Sequence, residues 1–273
     1  MIEIAEALVY SKQMKKALKG KTIVDVKVLS TPHTFCWMSA APDIYESMLL
    51  GNIIHDVKST SHYIKFILND DLELAIGEDI FFEYKKEDQK SDKHQLALTF
   101  NDGYVLELKI KLDGFILLGK EDILKSTYLY YKLAMDAINP LDPAFTYEHF
   151  LNVTELKSEK GSVKQALSTN QHIPGLGNGT LQDVLFEAKI SPKRKIKTLT
   201  DEDKRILYQA VQHKIDEMIT FGGRNTTLNM YGEKGSYEVI MSNDKNECPK
   251  CHETLVKEAY LGGKVIYCPH CQK

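Results

Sequence analysis

Short apolar runs separated by polar turns fill the N-terminal half of the chain. Residues 63–68, 96–100 and 105–110 cluster or alternate apolar side chains over five or six positions. The turns at 69–71 and 101–103 consist of Asn, Asp and Gly. Runs of this length, bounded by such turns, are typical of β-strands and hairpins. The pattern therefore predicts a β-rich N-terminal region.

A helix is predicted ahead of these strands. Residues 4–18 place apolar side chains at helical spacing, and Gly20 follows them as a residue that favours helix C-termini. After the strands, Pro140 and Pro143 each lack a backbone donor and push the preceding residue out of the helical region, as in a linker. We expect a β-sandwich domain with a terminal helix over residues 1–138.

Beyond the linker the apolar period becomes helical. The helices are predicted at residues 147–156, 162–167, 180–188 and 201–219. Thr200 and Asp203 stand where an N-cap and its capping-box partner are required for the last helix. These elements predict a small helical domain over residues 144–240, and the chain as a whole belongs to the α+β class.

The last 26 residues contain two CxxC pairs separated by 16 residues. The four cysteines are Cys248, Cys251, Cys268 and Cys271. This spacing predicts a structural Zn²⁺ site, since two knuckles joined by a hairpin can complete a tetrahedron and four thiolates leave no position for a catalytic water. We assign residues 241–273 to a zinc-finger hairpin. Two disulfides in a secreted domain are the alternative, and Cys36 is expected to be an inert buried thiol.

The net charge of −3 conceals an asymmetry along the chain. Residues 1–156 carry a net charge of −7, whereas residues 157–273 carry +4. Segment 189–197 contains five positive charges and no acid, which indicates a polyanionic partner or, alternatively, a solvated basic loop. No apolar run approaches the roughly 20 residues that cross a membrane, so we expect a cytoplasmic protein, associated with the nucleoid if prokaryotic.

A glycine-rich connection precedes one of the predicted helices. Residues 171–180 contain three glycines and a proline, so backbone amides can approach an anion closely, and the following helix start adds free N–H groups. Ordinary turn chemistry is the alternative. The segment is not a P-loop, because the Lys-Ser/Thr ending is absent.

Several of these segments together resemble one protein family. Residues 164–167, 174–178 and 185–194 resemble the helix-two-turn-helix domain of the formamidopyrimidine-DNA glycosylase and endonuclease VIII family. Residues 267–273 are similar to that family's zinc-finger ending, and residues 1–6 to its opening. The likeness spans the whole chain in the right order.

The resemblance implies a base-excision repair protein that binds damaged double-stranded DNA as a monomer. It implies a DNA glycosylase, with abasic-site lyase chemistry as a second possible activity, acting on a base flipped out of the duplex. By position, Glu3 takes the proton-shuttle role, the terminal amine of Met1 stands beside the family's nucleophile, and Glu6 supports the terminus. The positions implied to contact DNA are His62, Lys164, Gly177, Asn178, Lys193, Arg194 and Lys264.

The chain departs from the family pattern at several of these places. Ile2 replaces the family's N-terminal proline and should prevent removal of Met1, so the free amine lies one residue farther out. His62 stands for a lysine, Lys264 lies near the position of the finger's arginine, and Glu78 stands for the methionine that fills the space left by the flipped base. The family's lesion-recognition loop falls near residues 225–237.

Two further hypotheses follow from these departures. A catalytically degenerate family member would bind damaged or branched DNA without excising a base. A zinc-stabilised protein-interaction module would have no DNA affinity at all. Salt-dependent DNA binding is expected both of an active glycosylase and of the degenerate family member, so a covalent adduct is needed to separate these two.

Overall fold

Helix α1 occupies the range that the apolar spacing predicts. In the computed structural model it spans Ile4–Leu18, with Glu3 as its N-cap and Lys19 as its C-cap, and it packs on the neighbouring β-sheet. Gly20 follows with φ +85°, a conformation that favours glycine. Its N–H donates to the Ile54 carbonyl at 2.8 Å, which fixes the direction in which the chain leaves the helix.

Seven strands form the large sheet of the structure, which describes residues 1–158 and 160–273. They are β1 (Ile23–Val28), β2 (Cys36–Met38), β3 (Asp56–Thr60), β4 (Tyr63–Ile67), β5 (Glu73–Lys86), β6 (Leu96–Phe100) and β7 (Tyr104–Gly119). Their order is β1-β6-β7-β5-β4-β3 with antiparallel pairing, and β2 joins β7 in parallel. Helix α2 (Pro42–Leu49) lies between β2 and β3 in the chain. The predicted β-rich region is confirmed.

The two longest strands bend at a shared irregularity. The pairing of β5 with β7 shifts register between Glu78 and Ile80, and Glu78 has φ +73°. Opposite them, a Cβ added at Gly114 would lie 2.6 Å from the Ile80 side chain, so the close approach requires glycine. The shift divides the sheet into two halves that share β5 and β7, with β2, β3 and β4 in one half and β1 and β6 in the other.

Two short helices follow the sheet, α3 (Glu121–Thr127) and α4 (Leu129–Asp136). Tyr131 of α4 is fully buried among apolar side chains, and its hydroxyl donates to the Glu73 carboxylate at 3.0 Å. Both groups thereby satisfy a hydrogen-bonding requirement that burial makes costly to leave unmet. The contact fastens α4 to the start of β5.

The chain groups into two units by its internal contacts. The first comprises Met1–Asp136 together with Asn225–Ser236, and the second comprises Ala137–Arg224 together with Tyr237–Lys273. The helices after residue 137 and the cysteine-rich hairpin therefore fall into one unit, and the returning segment Asn225–Ser236 groups with the sheet. The division into three domains made from the sequence stays a prediction.

The returning segment attaches to the sheet through β5. The Tyr84 N–H donates to the Met230 carbonyl at 2.8 Å. The rings of Tyr84 and Tyr231 meet edge to face, with centroids 6.0 Å apart. These contacts hold within the first unit a segment that the sequence assigned to the helical domain.

Three α-helices dominate the second unit, α5 (Tyr147–Val153), α6 (Asn178–Glu187) and α7 (Asp201–Thr220). Thr200 caps α7 by accepting from the Asp203 N–H, as predicted. The helix expected at 162–167 is instead a π-helix at Gln165–Thr169. The His172 ring contacts the Ala166 carbonyl at 3.0 Å, and the Asn170 N–H turns to the Gln165 carbonyl five residues back.

A two-stranded hairpin, β8 (Val256–Tyr260) and β9 (Gly263–Tyr267), completes the second unit. The segment leading to it is fixed by Asp183 of α6, which is fully buried. Its carboxylate accepts from the Tyr237 hydroxyl and from the N–H groups of Ile240 and Met241, at 2.7–2.9 Å. Burial raises the pKa of Asp183 although these donors favour its charged form. Among the residues that the structure describes, no helix is long and apolar enough to cross a membrane.

Candidate active site and anion-binding surface

The chain terminus is held at the bend of the sheet. The Met1 ammonium forms an ion pair with the Asp79 carboxylate, and the Ile2 N–H donates to the Glu78 carbonyl at 2.9 Å. The Ile2 side chain is buried, which anchors the terminus from the other side. A free primary amine is thereby presented at one defined position on the first unit.

Two carboxylates follow the amine at the start of α1. Glu3 is 3% exposed and Glu6 is 0% exposed, and the Glu3 N–H donates to the Glu6 carboxylate at 3.2 Å in a capping box. Acids in the first turn are favoured by the helix dipole, but full burial of two carboxylates exceeds what a helix start requires. The amine and the two buried acids therefore lie within the first six residues of the chain.

A cavity of about 460 Å³ opens beside the terminus within the first unit. Its polar lining comes from Glu6, Tyr10, Asp79, Lys111, Thr226 and Thr227. Its apolar lining includes Ile2, Ile80, Phe81 and Leu228. Apolar walls with a few convergent polar groups are typical of small-ligand sites, and this volume suits one planar ring system. Met1 lines the cavity as well, so a ligand in it lies against the terminal residue.

A second set of predicted residues meets in the second unit. Lys164 is 1% exposed, and its ammonium donates to the carbonyls of Tyr260 and Leu261 in the hairpin turn. Burial lowers the pKa of Lys164. Asn178 opens α6 directly after Gly177, its N-cap. The structure thus brings the buried ammonium, the start of a helix and the hairpin turn together, and the phosphate contacts expected of Lys164 and Asn178 stay predictions.

The hairpin residue that faces this pair is Gly263. A Cβ added there would lie 2.4 Å from Asn178 Nδ2 and 3.3 Å from Lys164 Nζ. The Asn178 Oδ1 is a buried acceptor for which residues 1–158 and 160–273 supply no hydrogen-bond partner. Lys264, by contrast, turns to the Asn243 side chain at 2.9 Å. The ammonium of Lys164 and the amide N–H groups of Asn178 are donors that suit an oxyanion, and glycine at position 263 lets the hairpin turn pack closely against them.

The four cysteines of the CxxC pairs come together, with their Sγ atoms within 4.8 Å of one another. The Sγ atoms of Cys251 and Cys268 are 3.5 Å apart, and those of Cys248 and Cys271 are 3.9 Å apart. A disulfide requires about 2.05 Å, whereas the edge of a tetrahedron with 2.3 Å metal–sulfur bonds is about 3.8 Å. The four thiols are therefore grouped to bind one metal ion.

Comparisons with known proteins agree with this arrangement. A family model described as the formamidopyrimidine-DNA glycosylase H2TH domain matches residues 137–230. Formamidopyrimidine-DNA glycosylases of Brevibacillus brevis and Shouchella clausii are 27% and 26% identical to the chain, each over 100% of the chain and 99% of the relative. The chain contains the helix-two-turn-helix domain of the formamidopyrimidine-DNA glycosylase family and is similar to these glycosylases along its whole length.

Solved structures show the same fold. A Lactococcus lactis family enzyme in complex with abasic-site DNA matches with a TM-score of 0.84 at 21% identity, over 99% of both chains. The protein from Thermus thermophilus matches with a TM-score of 0.81 at 20% identity, over 99% of this chain and 98% of the other. The N-terminal sheet, the helical region and the C-terminal hairpin are thus the architecture of the family.

The remaining predicted DNA contacts are distributed less simply. His62 is 4% exposed, and its Nε2 lies 3.1 Å from the Glu78 carboxylate. Burial opposes ionisation of Glu78, but the hydrogen bond and charge of His62 lower its pKa. A role for His62 at a phosphate stays a prediction. The side chain that stands for the family's methionine is thereby engaged within the sheet.

The basic segment is already paired in part. Lys193 contacts the Glu258 carboxylate at 3.2 Å, and Arg194 contacts Asp203 at 2.7 Å. The Lys193 ammonium also lies 5.7 Å from the centre of the Tyr260 ring, at the same hairpin that covers Lys164. Of the predicted cations, Lys193 and Lys164 therefore both contact the hairpin at Tyr260. Their contacts to DNA stay predictions.

Sequence reasoning missed two groups. Asp79 is joined to Met1 across 78 positions, and no periodicity signals such a contact. Glu187, His213 and Glu217 also gather oxygen and nitrogen ligands within 4.8 Å. The Lys214 ammonium contacts both carboxylates at 2.9 and 2.7 Å, so their charge is compensated and the cluster is an ion-pair network.

Proposed function

We propose that this protein is a DNA-repair glycosylase that binds damaged double-stranded DNA, excises a base and cleaves the abasic site. The observation that carries the proposal is the terminal amine of Met1, held at a cavity beside the buried carboxylates of Glu3 and Glu6. The relatives named formamidopyrimidine-DNA glycosylase extend over the whole chain, and matched structures are complexes with abasic-site or damaged DNA.

The chemistry is amine catalysis with general acid and base support. A nucleobase flipped from the duplex occupies the cavity, which places the sugar C1′ near the Met1 nitrogen. Glu3 transfers protons as the bond from C1′ to the base breaks and the amine adds. A primary amine forms a Schiff base as a secondary amine does, so the extra residue at the terminus changes its reach and leaves its chemistry available.

DNA is held by the second unit through its phosphates. Lys164, Asn178 and the N-terminal end of α6 form one oxyanion site. Lys193 extends positive charge from this site along the hairpin. Contacts of this kind position the duplex without reading its sequence, and they make the affinity depend on salt. We expect the protein to act as a monomer, in the cytoplasm or at the nucleoid.

The metal at the four cysteines is a structural Zn²⁺ in this proposal. Backbone N–H groups donate to two of the sulfurs, from Lys250 to Cys248 at 3.4 Å and from Cys271 to Cys268 at 3.3 Å. Burial opposes ionisation of Cys248, but hydrogen bonds from backbone N–H groups and neighbouring thiols lower its pKa to about 7. Four thiolates complete the shell, so the ion holds the hairpin against α6 and takes no part in the reaction.

Incision assays on defined duplexes test the proposed function. Duplexes carrying 8-oxoguanine, a formamidopyrimidine, an oxidised pyrimidine or an abasic site are compared with an undamaged duplex of the same sequence. We expect excision of at least one damaged base and cleavage of the abasic strand. Binding to all duplexes without excision or cleavage of any would contradict the enzyme assignment.

The second candidate function is recognition of damaged DNA without excision, which the same assays would reveal as binding without any product. Ile2 displaces the amine by one residue, and the amine is engaged in an ion pair with Asp79. Both observations favour a family member that recognises damaged or branched DNA and no longer excises bases. Such a protein would bind abasic duplex in a salt-sensitive way and give no covalent product.

A single methyl group tests the oxyanion site. Gly263→Ala places a Cβ against the amide of Asn178, so the hairpin turn must move away from Lys164. Overpacking of this kind costs about 1–3 kcal/mol, and a loss of that size in binding is roughly 5- to 150-fold in Kd. We expect weaker binding to abasic duplex, measured by fluorescence anisotropy. Ala259→Val, at an exposed position of β8, is the control and should leave Kd unchanged.

A further inference from the structure

The partner of the terminal ammonium is a side chain with no other function in the fold described above. Asp79 follows Glu78 at the irregularity of β5, and its carboxylate contacts the Met1 nitrogen directly. The Asp79 side chain is 13% exposed, against 41% for Met1, so the carboxylate is fixed while the residue that bears the amine reaches solvent and the cavity.

Amine catalysis requires two proton movements at this nitrogen. An ammonium has no lone pair, so a proton must leave before the nitrogen attacks an aldehyde carbon. The hydroxyl of the resulting carbinolamine must then receive a proton in order to depart as water. A group that contacts the nitrogen itself is placed for both steps.

We propose that Asp79 is a catalytic residue, the base that removes the proton from the Met1 ammonium and the acid that returns it to the departing hydroxyl. The amine adds to C1′ of the open-chain abasic sugar, the C1′–oxygen bond breaks, and an iminium and one water form from one ammonium and one aldehyde. No proton is gained or lost overall. The inference rests on the proposed function, whose amine chemistry it completes.

The groups around the amine leave this role to Asp79. The Glu78 carboxylate is engaged by His62 at 3.1 Å. Burial, together with the charges of Glu78 and Asp79, raises the pKa of Asp113. Other titratable groups nearby are Glu3 and Glu6 at the start of α1, Tyr10 and Lys111 in the cavity lining, and His33, whose charge acts on Asp113. The Asp79 carboxylate is paired directly with the terminal ammonium.

Reductive alkylation by a small aldehyde tests the role without DNA. The protein is treated with glycolaldehyde and cyanoborohydride, and modification of Met1 is followed by mass spectrometry of the N-terminal peptide. In the unmodified protein the rate should change little between about pH 6 and 7.5, because the ion pair already contains the transferable proton. In Asp79→Asn the amine must lose its proton to solvent, so the rate should fall as the pH is lowered over the same range, by up to about tenfold per pH unit.

Three variants separate catalysis from positioning. Asp79→Asn keeps the size of the side chain and removes the charge. Asp79→Glu restores a carboxylate and should recover part of the flat pH profile. Asp56→Asn removes a different ion pair, with Lys15 at 2.7 Å, and should match the unmodified protein. At about pH 6, Asp79→Asn should react at least about tenfold more slowly. A uniformly slower rate with an unchanged pH profile, or a faster rate, would overturn the proposal.

Borohydride trapping on abasic duplex separates this inference from the proposed function. An adduct that forms equally in Asp79→Asn and in the unmodified protein at all pH values overturns the role of Asp79 alone. Failure of the unmodified protein to form any adduct with the duplex, while Met1 still reacts with glycolaldehyde in an Asp79-dependent way, overturns the proposed function and supports the proton transfer.

Discussion

Glu3→Gln should lower the rate of base excision by about 10²- to 10⁴-fold, the range that one positioned proton-transfer group contributes. Glutamine has the shape of glutamate and accepts a hydrogen bond, but it does not release or take up a proton near neutral pH. The first turn of α1 should therefore keep its geometry. Single-turnover kinetics on the best damaged duplex measure the effect directly.

A matched control distinguishes loss of proton transfer from a change of helix stability. Glu148 also lies in the first turn of a helix, α5, and is exposed. Glu148→Gln removes a comparable helix-dipole interaction, worth about 0.3–1 kcal/mol, and should leave excision unchanged. Affinity of Glu3→Gln for abasic duplex should remain within about twofold. Equal excision by Glu3→Gln and the unmodified protein would remove Glu3 from the mechanism.

Cys251→Ser should abolish stoichiometric zinc binding and unfold the hairpin. Structural zinc contributes about 10–16 kcal/mol in isolated zinc-finger peptides, so the loss of one of four ligands removes most of what holds β8 and β9. The hairpin turn covers Lys164 through the carbonyls of Tyr260 and Leu261, so its loss also disrupts the oxyanion site. We expect DNA affinity to fall at least about tenfold, equivalent to 1.4 kcal/mol.

Cys36→Ser provides the control for a cysteine outside the cluster. Burial raises the pKa of Cys36 to about 11, so this thiol stays protonated and does not bind a metal. Metal analysis should give one zinc per chain for the unmodified protein and for Cys36→Ser. Hydrogen exchange should show rapid exchange across Val256–Tyr267 only in Cys251→Ser. Full protection of the hairpin in Cys251→Ser would contradict the zinc assignment.

The elements predicted correctly are those whose signals are local. Helix α1 matches its predicted range, and the Thr200 cap marks the start of α7. The CxxC spacing predicts the cluster of four thiols, because each knuckle forms within four residues. Apolar periodicity, caps and metal knuckles act over one or two turns of chain, so the sequence alone displays them.

The elements that were missed depend on tertiary contacts. Strands β5 and β7 run much farther than the apolar alternation indicates, since the bend at Glu78 and the charged residues near Gly114 interrupt the pattern. Cys36, expected to be a buried thiol, is half-buried, and its strand β2 joins the sheet beside β7. When the extent of a strand is decided by pairing with a strand far along the chain, the apolar periodicity of its own sequence does not show it.

The candidate site divides in the same way. Family motifs located Glu3, Lys164 and Asn178, and the structure gathers the last two at the hairpin. The contact between Met1 and Asp79 spans 78 positions and depends on the fold of β5, so no motif reports it. Gly263, rather than Lys264, faces Asn178, because alternate residues of a strand point to opposite faces.

Mapping the site of covalent attachment to abasic DNA tests directly whether the α-nitrogen of Met1 is the nucleophile. The purified protein is reduced with borohydride on a duplex containing one abasic site, and the trapped complex is digested and mapped by mass spectrometry. We expect an adduct on the α-nitrogen of Met1 in an intact N-terminal peptide. An adduct on a lysine, or none while the duplex stays bound, would contradict it.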